Sequence, residues 1–236
     1  MRTKLLILLA TLLCLPIQTI KAQEADYPPN VTNTVIWGIK ANLNAELPTK
    51  WHKPANSIKM FNSGFGASVG ALANIYLGRN FYFEPEIGLF YQGYSYDNIV
   101  TVAPNSPSVN AGPSLTKLGL RLPLVFGYFI NISETWGLDV FTGPLFNYAF
   151  YGHASSENED IKSDYSLMNV FKGDFAQKRF GIDWKVGVGF PVQNFLISLE
   201  ADFGITNRLR HNWTMRENRV SLGITYYFVN NSLSTE

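Results

Sequence analysis

Twelve charged residues sit at alternate positions beside apolar neighbours, and their spacing is the first chemical signal in this chain. Glu84 and Glu86 lie in FYFEPEIGLFYQGYSY (Phe81–Tyr96), and Lys40, Lys117, Arg121, Asp139, Arg179, Asp183, Lys185, Glu200, Asp202 and Arg219 lie in similar runs. If these runs are β-strands, a period of two places the charges on one face of each strand. Charges gathered on a face shielded from water must be paired or hydrogen-bonded. Two chemistries fit such a set. One is a salt-bridged interior that fills itself. The other is a polar path that conducts water, ions or small solutes.

A third chemistry would use His52, His153 and His211. His153 lies near Ser155, Ser156, Glu157 and Asp160, and a histidine beside a hydroxyl and a carboxylate can activate the hydroxyl or a water. All three histidines fall in stretches that read as solvated loops, where polar residues accumulate without catalytic cause. The expectation is therefore no enzyme, with a rim enzyme acting on lipid as the third reading. Nothing matches a zinc, phosphate-loop or nucleotide motif, so no metal or cofactor is expected.

The elements that would position these charges are long. In Phe81–Tyr96, Phe81, Phe83, Ile87, Leu89 and Tyr91 share one parity, and Tyr82, Glu84, Glu86, Gly88, Gln92 and Tyr94 the other. The same alternation predicts strands over Thr34–Glu46, Phe61–Leu77, Leu115–Ile130, Trp136–Phe150, Phe175–Phe190, Phe195–Thr206 and Arg219–Phe228. Eight strands result, and their connections alternate long and short. The long ones are Leu47–Lys59, Asp97–Ser114, Tyr151–Asp174 and Asn207–Asn218, all read as polar loops. Gly78–Asn80, Asn131–Thr135 and Pro191–Asn194 are short turns.

Alternation alone does not separate a membrane barrel from a soluble one, which also alternates with its apolar side inward. Three features favour the membrane. Each strand is long enough to cross a bilayer at a tilt, which takes roughly 9–11 residues. Tyr76, Phe81, Tyr82, Tyr128, Trp136, Phe190, Phe195 and Phe228 cluster at the short-turn end like an interfacial girdle. Most of the 19 glycines, including Gly38, Gly70, Gly88, Gly119, Gly127, Gly181, Gly187 and Gly204, lie on the polar parity. Glycine gains nothing by facing bulk water. It makes sense where long side chains share the narrow interior of an eight-stranded barrel.

Composition agrees. A net charge of +1 gives no preference for nucleic acid, and 46% hydrophobic residues occur without an 18-residue apolar run beyond the N-terminus. Residues 1–22 read as a secretory signal, with Arg2 and Lys4 ahead of the apolar run Leu5–Leu15 and cleavage after Ala22. Cys14 follows Leu13 inside that run, which argues against lipidation. Residues 23–33 read as a periplasmic lead-in, 34–228 as the barrel and 229–236 as a polar tail.

Five stretches also resemble one family: FEPEIGLFYQGY (Phe83–Tyr94), LGLRLPLVFGYF (Leu118–Phe129), LDVFTGPLFNY (Leu138–Tyr148), GIDWKVGVGFPVQNFLISLEADFGITN (Gly181–Asn207) and VSLGITYYF (Val220–Phe228). They are similar to the porin-like, or PorT-like, outer-membrane barrels of Bacteroidetes. The resemblance covers about Val35–Phe228. It implies an all-β, eight-stranded antiparallel transmembrane barrel in a Gram-negative outer membrane, shaped like OmpA or OmpX. Long outer loops and short periplasmic turns follow, with no single activity implied.

The expected role is a non-enzymatic structural or interaction protein with a largely closed, charge-filled lumen. A narrow porin-like channel is the alternative. Expected partners are outer-membrane lipid and lipopolysaccharide, met in part by Trp51, Trp213, Met215 and nearby bases. A protein partner at the outer loops or the periplasmic end is a further expectation.

Overall fold

The computed structural model describes residues 35–53, 56–58, 62–95, 114–133, 137–155, 169–172, 176–210 and 213–228. The expected signal 1–22, lead-in 23–33 and tail 229–236 lie outside these residues, as do Trp136, His211 and most of the second and third long loops.

The described chain is built of strands: β1 (Val35–Pro48), β2 (Trp51–Lys53), β3 (Asn56–Ile58), β4 (Gly64–Gly78), β5 (Phe81–Ser95), β6 (Ser114–Asn131), β7 (Gly137–Ser155), β8 (Phe180–Val192), β9 (Phe195–Gly204) and β10 (Glu217–Tyr227). Eight of them close into a barrel in the order β1-β10-β9-β8-β7-β6-β5-β4, and β2 and β3 form a separate two-stranded sheet. Each barrel strand runs antiparallel to its neighbours. Closure joins β1 to β10, with Leu43 opposite Leu222 and Glu46 opposite Arg219. It also joins β1 to β4, with Lys40 opposite Gly70.

Burial follows parity. On β1 every second residue is buried while Val35, Trp37, Ile39 and Leu43 are exposed. The same inversion holds on β9 and β10, where Ile197, Leu199, Phe203, Leu222 and Ile224 face out and Glu200, Asp202 and Arg219 face in. An exterior this apolar around a charged interior is the reverse of a soluble domain, and water is a poor medium for it.

The hairpin turns are tight for local reasons. Arg79 and Asn80 both have positive φ (49° and 69°), which is the backbone a two-residue turn needs to match the twist of its strands. The Asn80 amide then donates to the Phe129 carbonyl at 2.9 Å, tying the turn to β6.

Several expected boundaries shift. The expected loop at Leu47–Lys59 contains β2 and β3, and the His52 amide donates to the Thr214 carbonyl at 2.9 Å. β7 runs five residues beyond Phe150. Leu118 pairs with Tyr151 and Gly119 with Ala149, so Phe150 is the extra residue of a bulge. Buried positions therefore move from Asn147 and Ala149 to Gly152 and Ala154. β8 starts at Phe180 and not Phe175, because Ala176–Lys178 leave the wall to pair with the next loop. Lys178 donates its amide to the Arg208 carbonyl at 2.7 Å, and Arg210 donates to that of Ala176 at 3.0 Å.

Two of the expected girdle tyrosines also turn the other way. Tyr76 and Tyr82 are buried in the lumen, while Phe81, Tyr128, Phe190, Phe195 and Phe228 face out. Strand parity decides this: Tyr82 shares the side of Glu84, not that of Phe81.

Candidate functional site

The lumen is filled in layers. At the short-turn end Ile36, Leu72, Tyr76, Leu196 and Tyr227 form one apolar cluster. Tyr82, Val125 and Phe141 form another. At the loop end Tyr94, Leu115, Leu209 and Met215 pack together, with Val170 and Trp213 against them. Phe90, Ala149 and Phe171 complete that end. The charges lie between these apolar floors.

Glycines on neighbouring strands make room for the rings. Tyr82 is paired across the ladder with Gly127, Phe90 with Gly119 and Phe141 with Gly187. A Cβ at any of these three glycines would overlap the ring of its partner. The glycine parity visible in the sequence is thus in part a packing code, with each of these three rings lying over a bare backbone on the next strand.

The charged layer is one connected network. Glu200 pairs with Lys40 and with Lys185, and accepts a hydrogen bond from the Ser198 hydroxyl at 2.9 Å. Asp202 takes Lys185 at 3.0 Å, Arg219 at 3.1 Å and Arg121 at 3.3 Å. Arg121 also donates to the Ser68 hydroxyl at 2.7 Å. Arg219 continues to Glu46 at 3.2 Å, where Gln92 adds a donor at 2.9 Å. Towards the loop end, Asp183 accepts from Asn147 at 2.6 Å and from Arg208 at 2.9 Å. Arg208 lies 3.2 Å from Glu217, which pairs in turn with Lys117.

Three acids stand apart, towards the short-turn end. Glu84 accepts from the Tyr227 hydroxyl at 2.8 Å and the Asn74 amide at 2.9 Å. Asp139 accepts from the Tyr82 hydroxyl at 2.7 Å. Glu86 is buried with its Oε1 against Gly70 and Gly88. Lys40 faces this region, with its Nζ 5.1 Å from the Phe141 ring centroid.

Of the charges singled out in the sequence, Lys40, Glu84, Glu86, Lys117, Arg121, Asp139, Asp183, Lys185, Glu200, Asp202 and Arg219 are buried in this lumen. Arg179 is not. It stands half-buried at the loop end, donates to the Phe150 carbonyl at 2.7 Å and lies 4.2 Å from the Phe171 ring centroid. The reason is that Arg179 precedes β8, where the chain has already left the wall.

Three further lumen charges were not singled out. Glu46 lies inside the expected strand Thr34–Glu46 on its polar parity, and Glu217 lies on the polar parity two residues before the expected Arg219–Phe228, so parity alone could have found both. Arg208 had no such signal. It follows a strand in what reads as a polar loop, yet its guanidinium turns inward over Gly181. Among the described residues the lumen therefore holds six bases and eight acids, all buried.

The loop carrying Arg208 is more ordered than its composition suggests. The Asn207 side chain accepts from the amides of Leu209 (3.0 Å) and Met215 (2.9 Å), and donates to the Trp213 carbonyl at 2.8 Å. Leu209 and Met215 are driven into the barrel mouth as a result. Met215 is thus buried in the cap, out of reach of the lipid contact expected of it, and Trp213 packs against the cap partly buried. The side chain of Trp51 lies outside the described residues.

His211 lies outside the described residues, and among the described residues His52 and His153 do not gather with other reactive groups. His52 is exposed on β2. The ring of His153 stacks on Tyr151, with centroids 6.3 Å apart. Ser156, Glu157 and Asp160 lie outside the described residues. Among the described residues no group of three or more histidine, cysteine or acidic side chains is arranged to hold a metal.

Comparison with known proteins agrees with this architecture. Residues 21–210 match the family described as outer membrane protein beta-barrel domain. Solved structures similar to this one include Neisserial surface protein A, at 13% identity over 81% of this chain and 97% of that one, with a TM-score of 0.41. OprG from Pseudomonas aeruginosa is 10% identical over 85% of this chain and 99% of that one, with a TM-score of 0.46. Ail of Yersinia pestis, in complex with the heparin analogue sucrose octasulfate, is 12% identical over 82% and 99%, with a TM-score of 0.38. No curated protein matches by sequence.

Proposed function

The chain belongs to the outer-membrane β-barrel family and resides in the outer membrane, and on that premise we propose that it is a closed barrel acting as a structural or interaction protein. In this reading it carries no enzymatic activity, and it meets lipid or a partner at its outer face instead of passing solutes.

One observation carries the proposal. Glu46, Asp139, Asp183 and Asp202 are 0% exposed, and Arg121 and Lys185 are 1% exposed. A water-filled path through the barrel would leave such side chains wet. Here Glu46, Asp183, Asp202, Arg121 and Lys185 are paired with charged partners and Asp139 with the Tyr82 hydroxyl, as buried charges must be if they are to remain buried. The apolar layers at both ends close the charged layer off from either side of the membrane.

A narrow channel is the second reading. The excess of acids over bases among the described lumen charges favours cations in any path that opened.

The finer assignment, to the PorT-like branch of Bacteroidetes, is part of the proposal and rests on the five stretches that resemble it. The reading of residues 1–22 as an export signal has the same standing and rests on its basic, apolar and small-residue order.

Thiol labelling tests the closed lumen. Ser198 is 1% exposed inside the barrel, and Cys14 is the chain's single cysteine. In a Cys14→Ser background, Ser198→Cys should resist a small charged thiol reagent while the barrel is folded, and react fully once it is unfolded. Reaction in the folded barrel as fast as that of an outward-facing cysteine would count against closure.

A further inference from the structure

Every described carboxylate of this protein is buried in the lumen, so its outer surface has none to offer among the described residues. The exposed bases are distributed unevenly. Among the described residues, Lys50, Lys172, Lys178, Arg210 and Arg216 stand at the loop end, and only Arg79 stands at a short turn.

The loop-end bases belong to one hydrogen-bonded ledge. Thr49 donates its amide to the Arg216 carbonyl, and the Arg216 amide donates back to the Thr49 hydroxyl, both at 2.9 Å. Arg208 donates to the Met215 carbonyl at 2.9 Å, and Arg210 to that of Ala176 at 3.0 Å. Thr214, Leu209 and Gln177 carry the ladder between these points. The backbone at Lys50, Arg216, Arg210 and Lys178 is therefore tied into one shelf beside the loop ends of β1, β10, β9 and β8.

The height of the shelf matters. Lys178 lies two residues beyond Phe180, and Arg216 four beyond Val220 on the same parity. Lys50 lies three residues beyond Leu47. Phe180, Val220 and Leu47 are exposed apolar residues of the outer wall. These bases therefore stand within two to four residues of the apolar band, just past the loop ends of β1, β8 and β10. The headgroup zone of a bilayer begins where the apolar band ends.

We propose that this ledge binds the phosphates of outer-leaflet lipopolysaccharide. The inference rests on the outer-face reading above and gives that face a ligand of stated chemistry. Cations with no exposed carboxylate beside them among the described residues, placed just beyond the apolar band, attract anionic lipid, and each base near such a surface contributes about a fivefold gain in affinity. A rigid shelf lowers the cost of ordering those side chains on binding.

The test measures binding of purified lipopolysaccharide, and of its dephosphorylated form, to the full chain refolded in an uncharged detergent. The wild type should bind the phosphorylated lipid more tightly, and added salt should weaken that binding. Lys50→Gln with Lys178→Gln and Arg216→Gln should weaken it on the order of 100-fold, from the same per-base figure. Arg79→Gln, at the opposite end, should leave it unchanged. A heat-shift gel confirms that each variant is folded, and single variants serve if the triple one is not. Equal affinity for the dephosphorylated lipid, or an unaffected triple variant, would overturn the proposal. So would binding that appears only after removal of residues 156–168, which carry Glu157, Glu159, Asp160 and Asp164. The Ser198→Cys labelling assay, run on the same triple variant, reads the closed lumen separately, so failure of either claim is recognised without the other.

Discussion

Asp202 is the residue on which most of the lumen network converges. It faces Lys185, Arg121 and Arg219 from three different strands, all of them buried. Removing it would leave three buried cations short of a counter-charge, and the cost of breaking a buried pair from one side is about 3–5 kcal/mol. Asp202→Ala is expected to destabilise the folded barrel by that amount in reversible urea unfolding. A loss below about 1 kcal/mol would mean that water or a neighbouring acid reaches the site. At this scale the sequence was largely readable, because strand parity alone places Lys40, Glu84, Glu200 and Asp202 on the inner face. It failed where parity stops. Arg179 and Arg208 both border β8 or β9 at the loop end, and only three-dimensional pairing of the two loops decides that Arg208 turns in while Arg179 stays at the rim.

The strands are matched as complementary surfaces, large side chain against bare backbone. Gly187 and Phe141 show this most simply, because all three nearest atoms to a Cβ placed on Gly187 belong to the Phe141 ring. Gly187→Ala alone should cost about 1–3 kcal/mol through overpacking, and Phe141→Ala alone about 3–5 kcal/mol through the cavity it leaves. The double variant should lose less than the sum, since the new methyl group occupies space the ring has vacated. Strict additivity in unfolding free energies would show that the two do not share that space. The sequence reveals glycines on the inner parity but not which ring each one receives, since that depends on register. Register also explains the misread end of β7. The bulge at Phe150 inverts the inward parity, so a reading that demands strict alternation stops there, five residues early.

The whole barrel gathers its charges between two apolar floors and turns its apolar residues outward. The eight strands, their antiparallel order and the alternation of long and short connections were legible before any coordinates, because a period of two over long segments has few other solutions. The cap was not legible. Leu209 and Met215 sit in a stretch whose average composition is polar, and they close the mouth only because Asn207 folds the loop back on itself. That cap, the ion network and the apolar floor are independent obstacles to a solute. The most direct measurement is current across a planar bilayer holding the refolded full-length chain, with folding verified by the heat-dependent gel shift. A folded and electrically silent barrel is the predicted result. Discrete, reproducible conductance steps that persist with both long- and short-turn ends intact would contradict the closed lumen and make its buried charges the lining of a pore.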